Sequence, residues 1–306
     1  VGSYALDANT TASNNTAVGD QSLTANTTGH SNAALGRQSL LSNTTGNSNT
    51  GLGFEALALN TTASNNTAVG HQALLVNTTG GNNTAVGTYA LDANTTGNNS
   101  VSIGHGSLSS ATTASGNTAV GTSALNQTVT GGSNTAVGYS SLTSNTGGWN
   151  AGFGYEALTS NTSGEYNTAI GPRALDANTT GGSNTAVGLH ALSANTTASY
   201  NTAVGREALY ANTTGVNNTA VGYGALDANT TATDNCAFGL SALGANTTGQ
   251  RNQAFGVSTL QTNTEGDYNC AFGYGALAAA TTADYNSGFG HNSLLSTTTG
   301  DRNVGV

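Results

Sequence analysis

The stretch NNTAVGHQALLVNTTGGNNTAVG, residues 65–87, contains the hexapeptide NNTAVG twice at a spacing of 17 residues. The glycine of this motif recurs at the same interval from Gly2 to Gly290, with one shorter interval of 16 residues between Gly138 and Gly154. A fixed period of this size is typical of solenoids, in which each repeat stacks on the next. The spacing therefore predicts a single repeat array over residues 1–306, which we expect to be a segment of a longer chain.

Each repeat is predicted to be one coil of β structure. A glycine in every repeat and the Asn-Thr-Thr runs disfavour helix. The TAVG segment alternates as a strand does, and a second short strand is expected around Ala-Leu. The NTTG segment then forms a corner, because Asn and Gly tolerate tight turns. The fold class is therefore predicted to be all-β, a parallel β-solenoid or β-roll of 18 coils of about 17 residues.

Two kinds of column are expected from the stacking, with the motif glycine numbered as position one. Position five is Leu in every repeat and the residue before the glycine is always apolar. These residues are predicted to form the core columns, which include Leu6, Leu23, Leu74 and Leu91 together with Val18, Val69, Val86 and Phe238. Position fourteen is Asn in all repeats but one and is predicted to form a hydrogen-bonded ladder, which includes Asn15, Asn32, Asn66 and Asn83.

A column of small residues is expected on the opposite face of the strand, as at Ala68 with Gly70. Small residues in column let another backbone approach closely. This pattern favours a homo-oligomer packed along that face, most simply a trimer, and leaves a narrow single roll as the alternative.

The composition excludes several function classes. Only 6% of the residues are charged, the net charge is −9, and all five basic residues are Arg without a cluster, so a nucleic-acid partner is not expected. The sequence contains no run of 18 apolar residues that would indicate membrane insertion.

Cys236 and Cys270 lie two repeats apart, about 10 Å by strand spacing, which is too far for a disulfide. We expect both to be small buried thiols.

No arrangement of catalytic residues, metal ligands or cofactor-binding residues stands out, so no enzyme activity, cofactor or metal is predicted. The five histidines are His30, His71, His105, His190 and His291; they occupy variable positions in separate coils, which argues against a metal cluster. Asn-x-Thr sequons such as those at Asn43 and Asn212 could carry glycans or could simply be turn residues. Adjacent threonines in a strand point to opposite sides, which disfavours an ice-binding face.

Tyrosines at the variable positions are the predicted surface contacts. Exposed tyrosine rings suit stacking against sugars or protein partners, although these rings could equally line a contact between fibres. The candidates are Tyr139, Tyr155, Tyr166, Tyr200, Tyr223, Tyr268, Tyr274 and Tyr285.

The motifs NTAVG, NSVSIG (residues 99–104) and NTAIG (residues 167–171) resemble the head repeats of YadA-like trimeric adhesins. The NTAVG-x-x-AL-x-x-NTTG pattern is also similar to arrays in phage tail fibres and other surface fibres. The resemblance covers the whole chain and implies a left-handed parallel β-roll that trimerises.

Three functions are compatible with this reading. The first is a structural fibre or filament shaft on a cell surface or virion. The second is an adhesin or receptor-binding fibre that recognises glycans or surface proteins. The third is an extracellular filament that assembles end to end. All three place the protein outside the cell, with copies of itself as partners and with a glycan or cell-surface receptor as a possible further partner.

Overall fold

The computed structural model describes residues 2–306, and these residues contain only strands, turns and bends. The described residues therefore include no helix of the length and apolarity needed to cross a membrane. The chain divides into two compact units, residues 2–150 and Ala151–Val306. Each unit is a parallel β-solenoid, which confirms the predicted fold class.

Each coil contributes one short strand. The strands of the first unit are β1 (Thr16–Val18), β2 (Ala33–Leu35), β3 (Thr50–Leu52), β4 (Thr67–Val69), β5 (Thr84–Val86), β6 (Val101–Ile103), β7 (Thr118–Val120) and β8 (Thr135–Val137). The strands of the second unit are β9 (Ala151–Phe153), β10 (Thr168–Ile170), β11 (Thr185–Val187), β12 (Thr202–Val204), β13 (Thr219–Val221), β14 (Cys236–Phe238), β15 (Gln253–Phe255), β16 (Cys270–Phe272), β17 (Ser287–Phe289) and β18 (Val304–Gly305).

Successive strands within a unit pair in parallel and in register. Thr67 lies beside Thr84 and Val69 beside Val86, one period of 17 residues further on. The same register holds in the second unit, where Thr185 lies beside Thr202. Identical side chains therefore stack in columns, as the period predicts.

The leucine column is the core of each unit. Leu74 and Leu91 are buried, and the Leu74 N–H donates to the carbonyl of Ala90 in the next coil at 2.9 Å. Leu23 is also fully buried, whereas Leu6, in the first coil, is half-buried. The predicted leucine column is confirmed, including the stacking of Leu74 on Leu91.

The prediction of a second strand around Ala-Leu is wrong. The leucines there are in the left-handed region, with φ of 53° at both Leu74 and Leu91, and position three also has positive φ, as at Gln72. Because of these positive φ values, the N–H groups of positions three and five point towards opposite neighbouring coils. Gln72 donates to Phe54 in the previous coil and Leu74 donates to Ala90 in the next. The backbone hydrogen bonds are therefore satisfied without a strand. The left-handed conformation costs roughly 1–2 kcal/mol. Burial of the leucine side chain contributes about 1.5–3 kcal/mol, which offsets this cost.

The predicted orientation of the strand is also wrong. Val18 and Phe238 are 40% and 37% exposed, Val69 and Val86 are half-buried, and the central residues such as Ala68 are fully buried. The interior of most coils is already occupied by a leucine and two asparagines, so only a small side chain fits opposite the leucine. At Gly51, the central residue of β3, an added Cβ would lie 3.4 Å from Leu40 Cγ. The Val and Phe column therefore lies on the outside.

The small-residue column serves the stacking of coils rather than an approach by another subunit. Ala68 and Ala85 are buried inside the coils. Gly87 has φ of 136°, and a Cβ there would meet the carbonyl oxygen of Gly104 at 2.5 Å. Glycine at position one is therefore required because the backbone of the next coil passes against it.

Two asparagine columns hold the corners. At position fourteen, the side-chain oxygen of Asn66 accepts from the backbone N–H of Asn83 at 2.9 Å, and the side-chain amide of Asn66 donates to Gly80 O at 2.9 Å. At position eight, the Asn60 amide donates to the side-chain oxygen of Asn43 at 2.8 Å. The predicted ladder at position fourteen is confirmed, with a backbone N–H as the usual donor; it includes Asn15, Asn32, Asn66 and Asn83. Side-chain amides bond side-chain oxygens directly at position eight and also in some coils at position fourteen, as from Asn184 to Asn167 at 3.2 Å.

The single short coil is accommodated at its corner. In regular coils the position-eight amide donates to the carbonyl three residues on, as from Asn60 to Ala63. In the short coil the amide of Asn145 reaches the carbonyl of Gly147, only two residues on, at 2.8 Å. Asn150 still donates its backbone N–H to the side-chain oxygen of Asn134 at 2.9 Å. The position-fourteen ladder therefore continues across the missing residue.

Candidate interaction surfaces

The outer face of the strands is an apolar surface in both units. In the first unit its column before the glycine includes Val18, Leu35, Leu52 and Ile103, all exposed. Next to it runs the position-fifteen column, which is mostly threonine. No strand among the described residues contains a charged side chain. We call these two columns together the outer strand face.

Phenylalanines make this face more apolar in the second unit. Phe238, Phe255, Phe272 and Phe289 stack in successive coils, with ring centroids 5.0, 4.6 and 5.6 Å apart and nearly parallel rings. Three of the four are exposed, although large apolar side chains gain about 1.5–3 kcal/mol on full burial. A contiguous exposed apolar surface of this kind commonly marks a protein–protein contact.

The two cysteines lie on the same outer strand face. Cys236 begins β14 and Cys270 begins β16, with Gln253 of β15 between them in register. Both thiols are free and half-buried, and burial raises the pKa of each thiol above its usual value. The prediction that they are not joined is confirmed, but they are not core residues.

The predicted tyrosines are all exposed, which confirms their assignment to the surface: Tyr139, Tyr155, Tyr166, Tyr200, Tyr223, Tyr268, Tyr274 and Tyr285. Several are engaged by their neighbours in the column. Tyr268 and Tyr285 stack with centroids 4.9 Å apart, Arg251 lies over Tyr268, and Arg302 lies over Tyr285. These two rings therefore have both faces covered. The Tyr268 hydroxyl also accepts a hydrogen bond from Arg251, so mainly the ring edges and the Tyr285 hydroxyl are left for a partner.

Other tyrosines have one covered face. The guanidinium of Arg206 lies 5.6 Å from the ring centroid of Tyr223, and Tyr274 stacks on His291 at 5.2 Å. Tyr200, by contrast, is the most exposed of the predicted tyrosines, at 66%. The tyrosines therefore do not form one shared binding platform.

The sequon asparagines at position eight are not available for glycosylation in this fold. The side chains of Asn43 and Asn212 are fully buried, and the amide nitrogen that would carry a glycan donates to Asn26 Oδ1 in one case and Asn195 Oδ1 in the other. The corner threonine Thr27 also uses its hydroxyl internally, donating to Thr44 O at 3.1 Å. These columns hold the corners of the coils.

Metal binding finds no support in the side-chain placement. Among residues 2–306, no group of three or more His, Cys, Asp or Glu side chains is placed to hold a metal ion. His71 stacks against Phe54 and makes an edge contact with Tyr89. His190 likewise makes an edge contact with Tyr210. These two histidines therefore belong to the side-chain stacks along the coils.

A shallow notch lies in the second unit, on the turn segment rather than on the strand. It has a volume of about 470 Å³ and is lined by Asp227, Ser241, Gly244, Ala245, Gln261 and Thr262. Burial raises the pKa of the Asp227 carboxyl above its usual value. The sequence pattern places Asp227 at position six, but nothing in the period indicates a notch there.

Comparison with known protein families and with curated proteins finds no match for this chain.

Proposed function

We propose that this chain is a structural fibre shaft whose solenoid units associate with further copies of the chain through the outer strand face, most simply as a trimer. The observation that carries the proposal is the exposed apolar column, which runs through successive strands of both units and has no charged residue within it. Water contact with such a surface is unfavourable by about 25 cal/mol for each Å² of apolar area.

A second copy of the chain is the partner that fits this surface best. Every coil presents the same two columns at the same spacing, so a partner with the same repeat meets equivalent side chains coil after coil. The contact area then grows in proportion to the number of paired coils. A globular partner would match this periodic surface over only a few coils.

The internal bonding supports a mechanical role. Within each unit, successive coils are joined by strand hydrogen bonds and, where both coils carry the asparagine, by the two asparagine columns, as between Asn43 and Asn60 and between Asn66 and Asn83. These bonds are buried, so water does not compete for them, and opening one coil leaves several polar groups unsatisfied at once. A shaft built in this way would resist unfolding and proteolysis outside the cell, on a cell surface or virion.

Sedimentation velocity of the purified chain tests the proposal. The wild type is expected to sediment as an oligomer, with a trimer near 90 kDa, three times the 30.1 kDa of one chain. The double variant Val204→Glu with Phe255→Glu places two carboxylates on the outer strand face and is expected to sediment as a monomer. Tyr200→Glu, which places a carboxylate at a 66% exposed side chain outside the outer strand face, is the control and should remain oligomeric.

Circular dichroism must show that the double variant keeps its β structure. A wild type that is monomeric at high concentration would contradict the proposal, as would a folded double variant that remains oligomeric. Electron microscopy of the wild type adds a further criterion, because particles of indefinite length would favour end-to-end assembly instead.

A further inference from the structure

Position six lies on the turn segment of each coil. At this position the aspartate Asp176 accepts a hydrogen bond from the next coil. The hydroxyl of Ser193 donates to Asp176 Oδ1 at 2.6 Å, and the two residues are 17 positions apart, in the same column. The Asp176 carboxylate therefore accepts a hydrogen bond from a hydroxyl group of the next coil.

Asp227 occupies the same column, but the residue that follows it there is Gly244. A Cβ on Gly244 would lie 3.4 Å from Asp227 Oδ1 and 3.3 Å from the carbonyl oxygen of Ser241. A side chain at this position would therefore stand directly against the Asp227 carboxylate, and because Gly244 has none, it lines the notch. Gly244 has no hydroxyl to donate to Asp227 as Ser193 donates to Asp176. The notch lies at this position.

The rest of the lining is uncharged, with Ala245 and Gly244 beside three polar side chains. Ser241 has a hydroxyl group, and Gln261 has an amide that can both donate and accept. Thr262 contributes less, since its hydroxyl donates to Ala278 O at 2.7 Å. Tyr210 lies in the same column one coil before Asp227 and is exposed. One carboxylate with neutral donors and acceptors suits a ligand rich in hydroxyl groups, whereas a hard cation would need more oxygen ligands.

We propose that this notch binds a neutral carbohydrate, one hydroxyl of which donates to the Asp227 carboxylate in the place that Ser193 Oγ takes beside Asp176. Ser241 and Gln261 hydrogen-bond adjacent hydroxyls of the same sugar ring. The site is distinct from the outer strand face, so the binding is independent of the proposed self-association.

Amide chemical shifts of the ¹⁵N-labelled chain provide the test. The probes are the methyl glycosides of glucose, mannose, galactose and N-acetylglucosamine, each titrated to tens of millimolar. The amides of Ala228, Gly244, Ala245 and Gln261 are expected to shift and saturate with at least one glycoside. Methylammonium chloride is titrated in parallel as the cationic probe.

Two variants disable the notch from opposite sides. Gly244→Ser fills it and supplies the internal hydroxyl, and serine is native at this position in Ser109 and Ser193. Asp227→Ala removes the acceptor, and alanine is native at this position in Ala58. Each is expected to weaken glycoside binding at least tenfold. Ala211→Ser, at the neighbouring position seven, is the matched control and should bind like the wild type.

The outcomes separate clearly. Saturable shifts that disappear in both notch variants and persist in the control support the proposal. An absence of shifts with all four glycosides overturns it, and so do shifts that persist in Gly244→Ser. Shifts of the same amides with methylammonium alone would assign the notch to cations and would also overturn it.

Discussion

Asn263 donates its side-chain amide to the side-chain oxygen of Asn246 at 2.8 Å, but the side-chain oxygen of Asn263 itself is buried without a hydrogen-bond partner. The next residue in the position-eight column is Ala280, which has no amide to donate. The ladder therefore stops at Asn263, and it leaves an unsatisfied acceptor inside the second unit.

Restoring the ladder at this point should stabilise the protein. In Ala280→Asn the new amide can donate to Asn263 Oδ1, as Asn263 does to Asn246. Because a buried unsatisfied acceptor costs about 1–3 kcal/mol, we expect the free energy of unfolding to rise by about 1 kcal/mol after the cost of fitting the larger side chain. Guanidinium unfolding measures the change. Ala279→Asn, one residue away and half-buried, is the control and should give no gain.

The leucine column and the outer strand face should respond differently to substitution. Leu74→Ala removes a fully buried side chain and should lower the free energy of unfolding by about 2–5 kcal/mol, because the narrow core leaves a cavity. Val69→Thr changes a half-buried side chain on the outer strand face. Its cost to unfolding should stay below about 1 kcal/mol, with the main effect on self-association. Equal costs for the two substitutions would contradict the orientation of the strand described above.

Glycine at position one should not tolerate a side chain. Gly87→Ala combines a φ of 136° with a Cβ 2.5 Å from the carbonyl oxygen of Gly104, so the next coil must move away. We expect a loss of at least about 3 kcal/mol, measured by thermal or chemical unfolding. Gly81→Ala, at position twelve of the preceding coil, is the matched control. Its nearest neighbour would be Ser64 O at 3.2 Å, and asparagine and serine occupy its position elsewhere, so its cost should be small.

Asp92 should make stability depend on pH in the acid range. Burial raises the pKa of its carboxyl above the usual value of 3.8, and its Oδ1 is buried without a partner. The protonated form is thus favoured in the folded state, so its contribution to stability is complete below pH 3.8 and is lost as the pH rises through the folded-state pKa. The carboxylate at neutral pH is therefore the less favourable form.

Asp92→Asn should consequently raise the melting temperature at pH 7, and the difference from the wild type should vanish at acid pH. Asp7→Asn serves as the control, because Asp7 occupies the same position in the first coil and is exposed. A melting-temperature difference that is constant across the pH range would show that desolvation of the Asp92 carboxylate is not its cause.

The period by itself determined the architecture. Repetition every 17 residues requires like groups to meet in successive coils. Leu at position five in every repeat predicts a core column, and Asn at position fourteen in all repeats but one predicts a hydrogen-bonded ladder. Leu74 is buried as expected, and Asn66 takes part in the expected ladder. The exposure of the tyrosines followed from their place at variable positions. These inferences needed only the pattern, because stacking acts in the same way on every coil.

The tertiary structure decided which side of the strand is inside and how the leucines reach the core. Alternation along TAVG separates Thr and Val from Ala but does not say which set is buried. That choice depends on the volume left inside one coil after a leucine and two asparagines are packed there, and this volume admits Ala68 but not Val69. The left-handed conformation of Leu74 likewise arises because its N–H must bond the next coil while that of Gln72 bonds the previous one. The notch beside Asp227 depends on which residue follows it in the column, so it becomes visible only when the coils are stacked.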